Sequence, residues 1–372
     1  MSFGIRKAPV PDMQRSLPFD AWPIADRMLW QSIIRSGDIL DGSGPGADWS
    51  PVTQINTRKA YAYWLLWLKS NEPLDPSGEP LDRLTGERIR AYLESRGDEI
   101  ASLTAFTYIL DLLRFAQAGD PTRDWGWLKA IKNRLWARAV PVRDKISKIR
   151  PSAELFELGI ELMNDAYGIA CRYNPYAAEV QYRDGLIICL LAARPVRLKN
   201  LTAIVMGRHL IKIDNTYWLI FEAAEVKNAR AIEVPVPAVL TDYMDTYIQR
   251  HRRRLLQQTK TDRLWISKNG TPMAATTIRG QIKSRTAAAF GTALTPHLFR
   301  DCAATSIAIE DPEHVRMAAT ILGHRQLATT ERYYNQANML SAGRRHQDHI
   351  ASLRAELAVD PLKFAQPPTQ ET

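Results

Sequence analysis

One stretch of the sequence, residues 295–334, concentrates side chains that could do chemistry: TPHLFRDCAATSIAIEDPEHVRMAATILGHRQLATTERYY. Pro296 can begin a helix, because its missing N–H would be unpaired in a first helical turn anyway. His297 and Arg300 then share one face of that helix, since residues three apart are neighbours. The pattern predicts an imidazole and a guanidinium side by side.

The second half of the same stretch adds another imidazole and a phenol. A further helix is expected from about residue 311 to Gly323, a residue suited to a left-handed helix cap. His324 follows directly, at a helix end from which a side chain can turn into a cleft, and Tyr333 comes nine residues later. Two imidazoles, a guanidinium and a phenol in this order favour an anionic substrate over a hydrophobic core.

The composition allows two domains and indicates a polyanionic partner. The chain has 372 residues, 45% of them hydrophobic, and a formal net charge of +9; its pI is near 9.4. This length is enough to bury two cores. The excess of positive charge is typical of proteins that bind nucleic acid, but many basic proteins do not.

Other features argue against membrane, secreted and disulfide-rich classes. The longest apolar run, residues 185–193, is far shorter than the roughly 20 residues that span a bilayer. The first residues lack the apolar segment of a secretory signal. Cys171, Cys189 and Cys302 are odd in number and widely spaced, which predicts neither a disulfide framework nor a zinc site. We expect a protein of a reducing cytosol.

Helical periodicity predicts a first domain made of helices. Four amphipathic segments begin near Thr53, Thr85, Leu103 and Trp125, and four helices can form a small bundle. The basic, proline-bounded segment PVRDKISKIRP, residues 141–151, is then interpreted as a linker.

A second domain is expected after this linker. Ser152 is the predicted N-cap of its first helix, and a buried helix over 177–193 is expected to end against Arg194. Lys227 lies in a connection between strands. A small antiparallel sheet is predicted from three runs with strand propensity, at 209–214, 216–223 and 231–237.

In their order and spacing, these pieces resemble the tyrosine recombinase family, also called phage integrases. Any one motif is weak, whereas five in the family's order are a specific signal. The resemblance is close over residues 151–340 and looser over 50–140. The matching segments are ARPVRLKNL with Arg194, EVKNARAIEVP with Lys227, HLFR with His297 and Arg300, LGH with His324, and TTERYY with Tyr333.

The resemblance implies a fold that is mainly α with a small antiparallel β-sheet. A helical SAM-like core-binding domain would precede a tyrosine recombinase catalytic domain of the DNA breaking-rejoining fold. The expected boundaries are an N-terminal extension over 1–45, the core-binding domain over 46–140, the linker over 141–151, the catalytic domain over 152–345, and a C-terminal helix with a disordered tail over 346–372.

The resemblance also implies a reaction, the cleavage and rejoining of duplex DNA through a 3′-phosphotyrosyl intermediate during integration or excision of a mobile element. A phosphodiester is a poor electrophile because of its charge, and the planar fork of arginine can neutralise its oxygens. Arg194 and Arg300 are the expected clamp, and Tyr333 is the expected nucleophile. Tyr334 is the competing phenol, but the family spacing from LGH favours Tyr333.

Proton transfer is assigned to the remaining residues of the set. His297 is expected to help the phenol lose its proton, and His324 to hydrogen-bond a phosphate oxygen. Lys227 is expected to protonate the leaving 5′-hydroxyl as a general acid. Because the phosphotyrosine ester preserves the bond energy, rejoining needs neither ATP nor metal, and no cofactor is expected.

The expected partners are double-stranded DNA and further copies of the chain, with or without a DNA-bending accessory protein. Ile350, Leu353 and Leu357 form an apolar stripe on a C-terminal helix. This helix could be exchanged around a tetramer on synapsed DNA, as in the family, or dock on its own domain. The implied location is the bacterial cytoplasm, in association with the nucleoid.

Basic residues elsewhere are candidates for contacts with DNA phosphates, although each taken singly is more typical of a solvated side chain. The basic run over 250–254 is interpreted as a solvated helix end. The candidates are Arg58, Lys59, Arg88, Arg90, Lys129, Lys132, Lys148 and Arg197.

One position departs from the family. Arg197 stands three residues after Arg194, where the family often has an acid. This departure leaves open a catalytically degenerate recombinase-like protein that only binds DNA. A second alternative, an enzyme that relaxes DNA like a type IB topoisomerase, stays open because it shares the same chemistry.

Overall fold

The computed structural model describes residues 16–97, 100–140, 145–169, 173–227 and 229–310, together with 347, 350–352 and 354. The chain divides into two compact units, Met1–Asp144 and Lys145–Thr372. Each unit has its own hydrophobic core. The division falls inside the basic segment that the sequence predicts to be a linker, whereas the domain boundaries given above stay predictions.

The first unit is helical, and the four helices predicted for it are confirmed. Ser50 caps α2 by accepting a hydrogen bond from the Thr53 N–H at 3.2 Å, and Thr85 caps α3 in the same way, because both hydroxyls sit where first-turn N–H groups lack partners. The helices are α1 (Ile24–Ile34), α2 (Pro51–Asn71), α3 (Gly86–Arg96), α4 (Ser102–Gly119) and α5 (Gly126–Arg138).

Aromatic side chains fill the core of the first unit. Tyr61 of α2 stacks on Phe115 of α4, with ring centroids 3.8 Å apart. The Tyr61 hydroxyl donates to the buried carboxylate of Asp26 at 2.6 Å, which also pairs with Arg83. Trp22, which precedes the predicted core-binding domain, is buried in the same core.

In the second unit, helices pack around a small β-sheet. None of the helices in the described part of the chain has both the length and the apolar character needed to cross a bilayer. The helices are α6 (Ser152–Asp165), α7 (Ala177–Ala193), α8 (Leu198–Ala203), α9 (Thr241–Thr246), α10 (Arg252–Leu256), α11 (Ala275–Phe290) and α12 (Pro296–Glu310).

The sheet has three antiparallel strands in the order β1–β2–β3, as the sequence predicts: β1 (Leu210–Ile213), β2 (Thr216–Phe221) and β3 (Ile232–Pro235). Asp214 and Asn215 both have positive φ, 44° and 62°, which matches the tight hairpin turn between β1 and β2. The buried side chains of β2 alternate with less buried ones, so one face of the sheet packs on the core.

Two glycines allow α6 and α7 to pack closely. A Cβ on Gly159 would lie 2.4 Å from the Cys189 Sγ and 2.7 Å from the Gly185 carbonyl oxygen. Nearly all of α7 is buried, which explains why its second half, residues 185–193, is apolar around the helix rather than along one stripe. The close packing fixes the C-terminal end of α7, where Arg194 lies.

Ser152 is not an N-cap, and that prediction is wrong. The helix begins at Ser152 itself, with Pro151 in the cap position and no capping hydrogen bond from a side chain. The Ser152 N–H instead donates to Oγ of Ser306 at 2.9 Å. Ser152 is therefore the first helical residue, where its N–H has no partner within the helix, and a tertiary acceptor on α12 satisfies that donor.

The interpretation of the basic run 250–254 as a solvated helix end is also wrong in part. The segment Tyr247–His251 is a π-helix, and it leads directly into α10. His251 and Arg252 are buried, and the Arg252 guanidinium donates to the carbonyl oxygens of Thr261 and Arg263. Its charge is thus used to hold a loop.

Candidate active site

Arg194 lies at the junction of α7 and the sheet. Its backbone N–H ends the helix by donating to the Leu190 carbonyl at 2.8 Å. Its Nε donates to the carbonyl of Pro235, the last residue of β3, at 2.9 Å, and its Nη1 donates to the Ala193 carbonyl at 3.1 Å. Burial lowers the pKa of this guanidinium, but arginine stays charged at neutral pH.

Arg300 reaches the same loop from α12. This helix begins at Pro296 as the sequence predicts, and Arg300 lies on it as a buried side chain. Its Nη1 donates to the carbonyl oxygen of Pro195. The structure therefore brings Arg194 and Arg300 together around residues 193–195, where both guanidiniums are held by backbone carbonyls.

His297 lies one helical turn before Arg300, as the spacing predicts. The histidine is exposed, yet its pKa is lowered from the ordinary value, mainly because surrounding protein atoms limit hydration of the imidazolium. The charges of Lys145, Arg300 and Arg197 also lower the pKa, and Asp301 opposes them. The ring is therefore neutral at neutral pH and able to accept a proton.

Asp301 and Lys145 belong to this site although the sequence analysis did not select them. The Asp301 carboxylate is buried, and it accepts an ion pair from Lys145 Nζ at 3.2 Å. The available signal is Asp301 itself, an acid directly after the predicted arginine and before a run of small and apolar residues, 302–309. The sequence gives no signal for Lys145, because 156 residues separate it from Asp301.

The described part of the predicted linker, residues 145–151, lies along α12 in the second unit. Besides the ion pair of Lys145, the Arg150 N–H donates to Sγ of Cys302 at 3.4 Å, and the Ser152 contact with Ser306 completes the series. The segment 145–152 is thereby held beside the helix that carries His297 and Arg300.

Arg197 lies close enough to affect His297, since its charge lowers the pKa of that histidine. It occupies the N-cap position of α8 and makes no capping hydrogen bond through its side chain. The position at which the family often has an acid thus adds a further positive charge to the site.

Lys227 is exposed in the connection between β2 and β3, as predicted. Arg194 contacts the end of β3 through Pro235, and Pro235 pairs with Trp218 of β2. The Arg194 side chain therefore contacts the same sheet whose β2–β3 connection carries Lys227. His324 and Tyr333 lie outside the described residues.

The candidate DNA-contacting residues differ in exposure. Arg58, Lys59, Arg90, Lys129 and Lys148 are exposed, and Lys132 is half-buried. Arg88 pairs with Glu72 at 2.8 Å, which leaves it less suited to a phosphate than the others. Among the described residues, no group of three or more histidine, cysteine, aspartate or glutamate side chains could hold a metal ion.

The mainly helical second unit, with its three-stranded antiparallel sheet and its paired arginines, has the catalytic-domain fold of recombinases that break and rejoin DNA. The fold is similar to that of the XerH site-specific recombinase bound to palindromic difH substrate, a post-cleavage complex, with a TM-score of 0.54, 16% identity, and coverage of 81% of this chain and 80% of that one. At this identity the likeness concerns the fold alone.

Sequence comparisons relate part of the second unit to a known family. Residues 169–340 match the model of the phage integrase family. Tyrosine recombinase XerD of Staphylococcus saprophyticus is 29% identical over 167 residues, 44% of this chain and 54% of XerD. XerD of Staphylococcus haemolyticus is 30% identical over 154 residues, 41% and 50% of the two chains. Residues 169–340 are thus similar to the phage integrase family, also called tyrosine recombinases, and the chain spans about half the length of the curated relatives it matches.

Proposed function

We propose that the protein is a site-specific recombinase that cleaves and rejoins duplex DNA through a 3′-phosphotyrosyl intermediate. The observation that carries this proposal is the convergence of Arg194 and Arg300 on one loop, with His297 one helical turn away. Two guanidiniums suit the two non-bridging oxygens of a phosphodiester, whose negative charge increases as a nucleophile attacks.

The proposed reaction assigns one step to each remaining residue. The Tyr333 oxygen attacks the phosphorus and loses its proton to neutral His297, and the bond from phosphorus to the 5′-oxygen breaks. Lys227 gives a proton to that oxygen. His324 donates a hydrogen bond to a phosphate oxygen. Attack by a 5′-hydroxyl on the phosphotyrosine reverses these steps, so the cycle balances without ATP or metal.

The substrate and partners follow from the same proposal. The net charge of +9 and the exposed Arg58, Lys59 and Lys129 favour a DNA backbone as the partner. A tetramer on two synapsed sites, the integration or excision of a mobile element, and a cytoplasmic, nucleoid-associated location are parts of this proposal. The similar XerH structure is itself a complex with its difH substrate.

A plasmid assay separates this function from the two alternatives. A binding site is first selected from randomised duplex DNA, and two copies are placed in one supercoiled plasmid. A recombinase deletes or inverts the DNA between the copies. A topoisomerase instead relaxes a plasmid without any selected site, and a protein that only binds shifts the DNA in a gel without either product. Absence of recombined products under conditions of full binding would refute the proposal.

A further inference from the structure

The connection that carries Lys227 begins with an anchored segment. Ala223–Glu225 forms one turn of 3₁₀ helix closed by a capping box, in which the Glu222 N–H donates to Oε2 of Glu225 at 3.1 Å. Val226 follows as a buried residue. Lys227 itself is exposed, so an ordered segment, residues 222–226, supports a side chain that extends into solvent.

His209 contacts the segment 222–226 from the side of the sheet. The histidine is buried, and its Nδ1 accepts a hydrogen bond from the Val205 N–H at 3.1 Å. The neutral ring therefore carries its proton on Nε2, which lies 3.0 Å from Oε1 of Glu225 and donates to it. The ring also stacks on Phe221, the last residue of β2, with centroids 5.0 Å apart. Both ring nitrogens are thus used, and the orientation of the imidazole is fixed.

A second contact joins the segment 222–226 to the helix that follows the Arg194 loop. Asn200 is buried on α8, the short helix that follows Arg197, and its Nδ2 donates to the backbone carbonyl of Glu225 at 3.4 Å. Arg208 pairs with the Glu225 carboxylate at 2.7 Å. The hydrogen bonds from His209 and from the Glu222 N–H, together with the charge of Arg208, lower the pKa of Glu225, so the carboxylate remains an acceptor.

We propose that His209, Glu225 and Asn200 are positioning residues that hold the Lys227 connection at a fixed place relative to the Arg194 loop. This inference rests on the proposed function, in which Lys227 protonates the leaving 5′-oxygen. A general acid must lie within hydrogen-bond reach of that oxygen, and a misplacement of about 1 Å can cost on the order of 100-fold in rate. A lysine on an unanchored connection would seldom occupy that place.

The leaving group provides the test. In a substrate whose bridging 5′-oxygen is replaced by sulfur, the bond from phosphorus to sulfur breaks and the sulfur leaves as a thiolate. A thiol has a pKa of about 8.5, so this leaving group needs no proton from a general acid. A variant that misplaces Lys227 is therefore defective on the oxygen substrate only.

The experiment compares covalent adduct formation by the full chain on oxygen and sulfur versions of one nicked duplex, selected from randomised DNA. Glu225→Gln and His209→Phe should lose about 10- to 100-fold on the oxygen substrate and cleave the sulfur substrate near the wild-type rate, as should Lys227→Ala. Lys212→Met is the matched control. It removes a 2.6 Å ion pair with Asp245 toward the other end of the β1–β2 pair, and it should leave both rates unchanged.

Three outcomes would overturn the inference. Equal losses on both substrates by folded Glu225→Gln and His209→Phe would show a structural role only. Wild-type rates on both substrates would show that the anchoring is dispensable. Failure of sulfur to rescue Lys227→Ala would remove the general acid that these residues are proposed to position. If the wild-type chain binds the duplex but forms no adduct on either substrate, the proposed function itself has failed, which is a distinct result.

Discussion

Arg300 donates a hydrogen bond to the backbone carbonyl of Pro195, the residue directly after Arg194, although 105 residues separate the two partners. This contact joins α12 to the loop after α7. It places two positive charges around the same few carbonyl oxygens, in surroundings where burial lowers the pKa of Arg194. A bound anion would relieve the repulsion between these charges, and so the relationship favours a phosphate at this point.

Arg300→Lys is expected to reduce the rate of adduct formation by about 100-fold or more, the usual cost of losing one donor to a developing oxyanion. Lysine keeps the charge but lacks the planar fork that can hold a backbone carbonyl and a phosphate together. Single-turnover cleavage of the selected duplex measures the effect. Arg253→Lys, at an exposed position on α10, is the control. Cleavage by Arg300→Lys at the wild-type rate would contradict the assignment.

The pH dependence of cleavage should follow the protonation of His297. Its pKa lies below the ordinary 6.5, so cleavage should fall only as the pH drops below that value and the ring gains the proton that prevents it from acting as a base. Asp301 raises this pKa and Lys145 lowers it. Asp301→Asn should therefore move the acid limb to lower pH, and Lys145→Met should move it to higher pH.

Because the two shifts have opposite signs, they distinguish an electrostatic effect on the pKa of His297 from a general disruption of α12. NMR titration of the His297 ring, identified by its absence in His297→Gln, provides a readout that is independent of cleavage. Lys148→Met is the control on the same linker, because Lys148 is not among the charges that act on His297. Shifts of equal sign in both variants would disprove the electrostatic account.

Gly159→Ala should destabilise the second unit, because its Cβ would meet the Cys189 Sγ at 2.4 Å and the helices α6 and α7 would have to separate. Overpacking of this kind costs about 1–3 kcal/mol. Gly280→Ala is the matched substitution, since an added Cβ on that glycine of α11 meets nothing within 4 Å, and it should stabilise by up to about 1 kcal/mol. Chemical denaturation measures both, and equal effects would contradict the packing argument.

Ser306→Ala should weaken the attachment of the start of α6 to α12. The Ser152 N–H would lose its acceptor, which lies 2.9 Å away, and an unpaired, partly buried donor costs roughly 1–3 kcal/mol. The free energy of unfolding should fall by that amount, whereas Ser284→Ala, at an exposed position of α11, should change it little. An unchanged free energy of unfolding in Ser306→Ala would mean that water replaces the contact at no cost.

Local patterns were enough to predict the elements that position the site. The helix beginning at Pro296 and the buried helix ending before Arg194 are confirmed, as are the three strands. Each depends on a short-range rule: the missing N–H of proline, a continuous apolar run, or alternating strand residues bounded by a turn. These rules also placed His297 and Arg300 on one helix.

Long-range partners could not be predicted in this way. The pairing of Lys145 with Asp301 and of His209 with Glu225 depends on how separate elements pack, and neither spacing has a periodic signal. The residue type of Ser152 predicts a local cap, but the helix begins at Ser152 itself, and its N–H has a tertiary acceptor on α12. The burial of Arg252 was missed for the same reason, since a basic run gives no indication of the carbonyls around it.

Cleavage by a tyrosine that becomes covalently attached to DNA can be observed by trapping the adduct on the selected nicked duplex and mapping the modified residue by mass spectrometry. We expect a 3′-phosphate ester on Tyr333 in the wild-type chain. We also expect no adduct with Tyr333→Phe despite unchanged DNA binding, and an adduct with Tyr334→Phe. A cross-link that persists in Tyr333→Phe, or no adduct in a wild-type chain that binds the duplex, would show that Tyr333 is not the nucleophile.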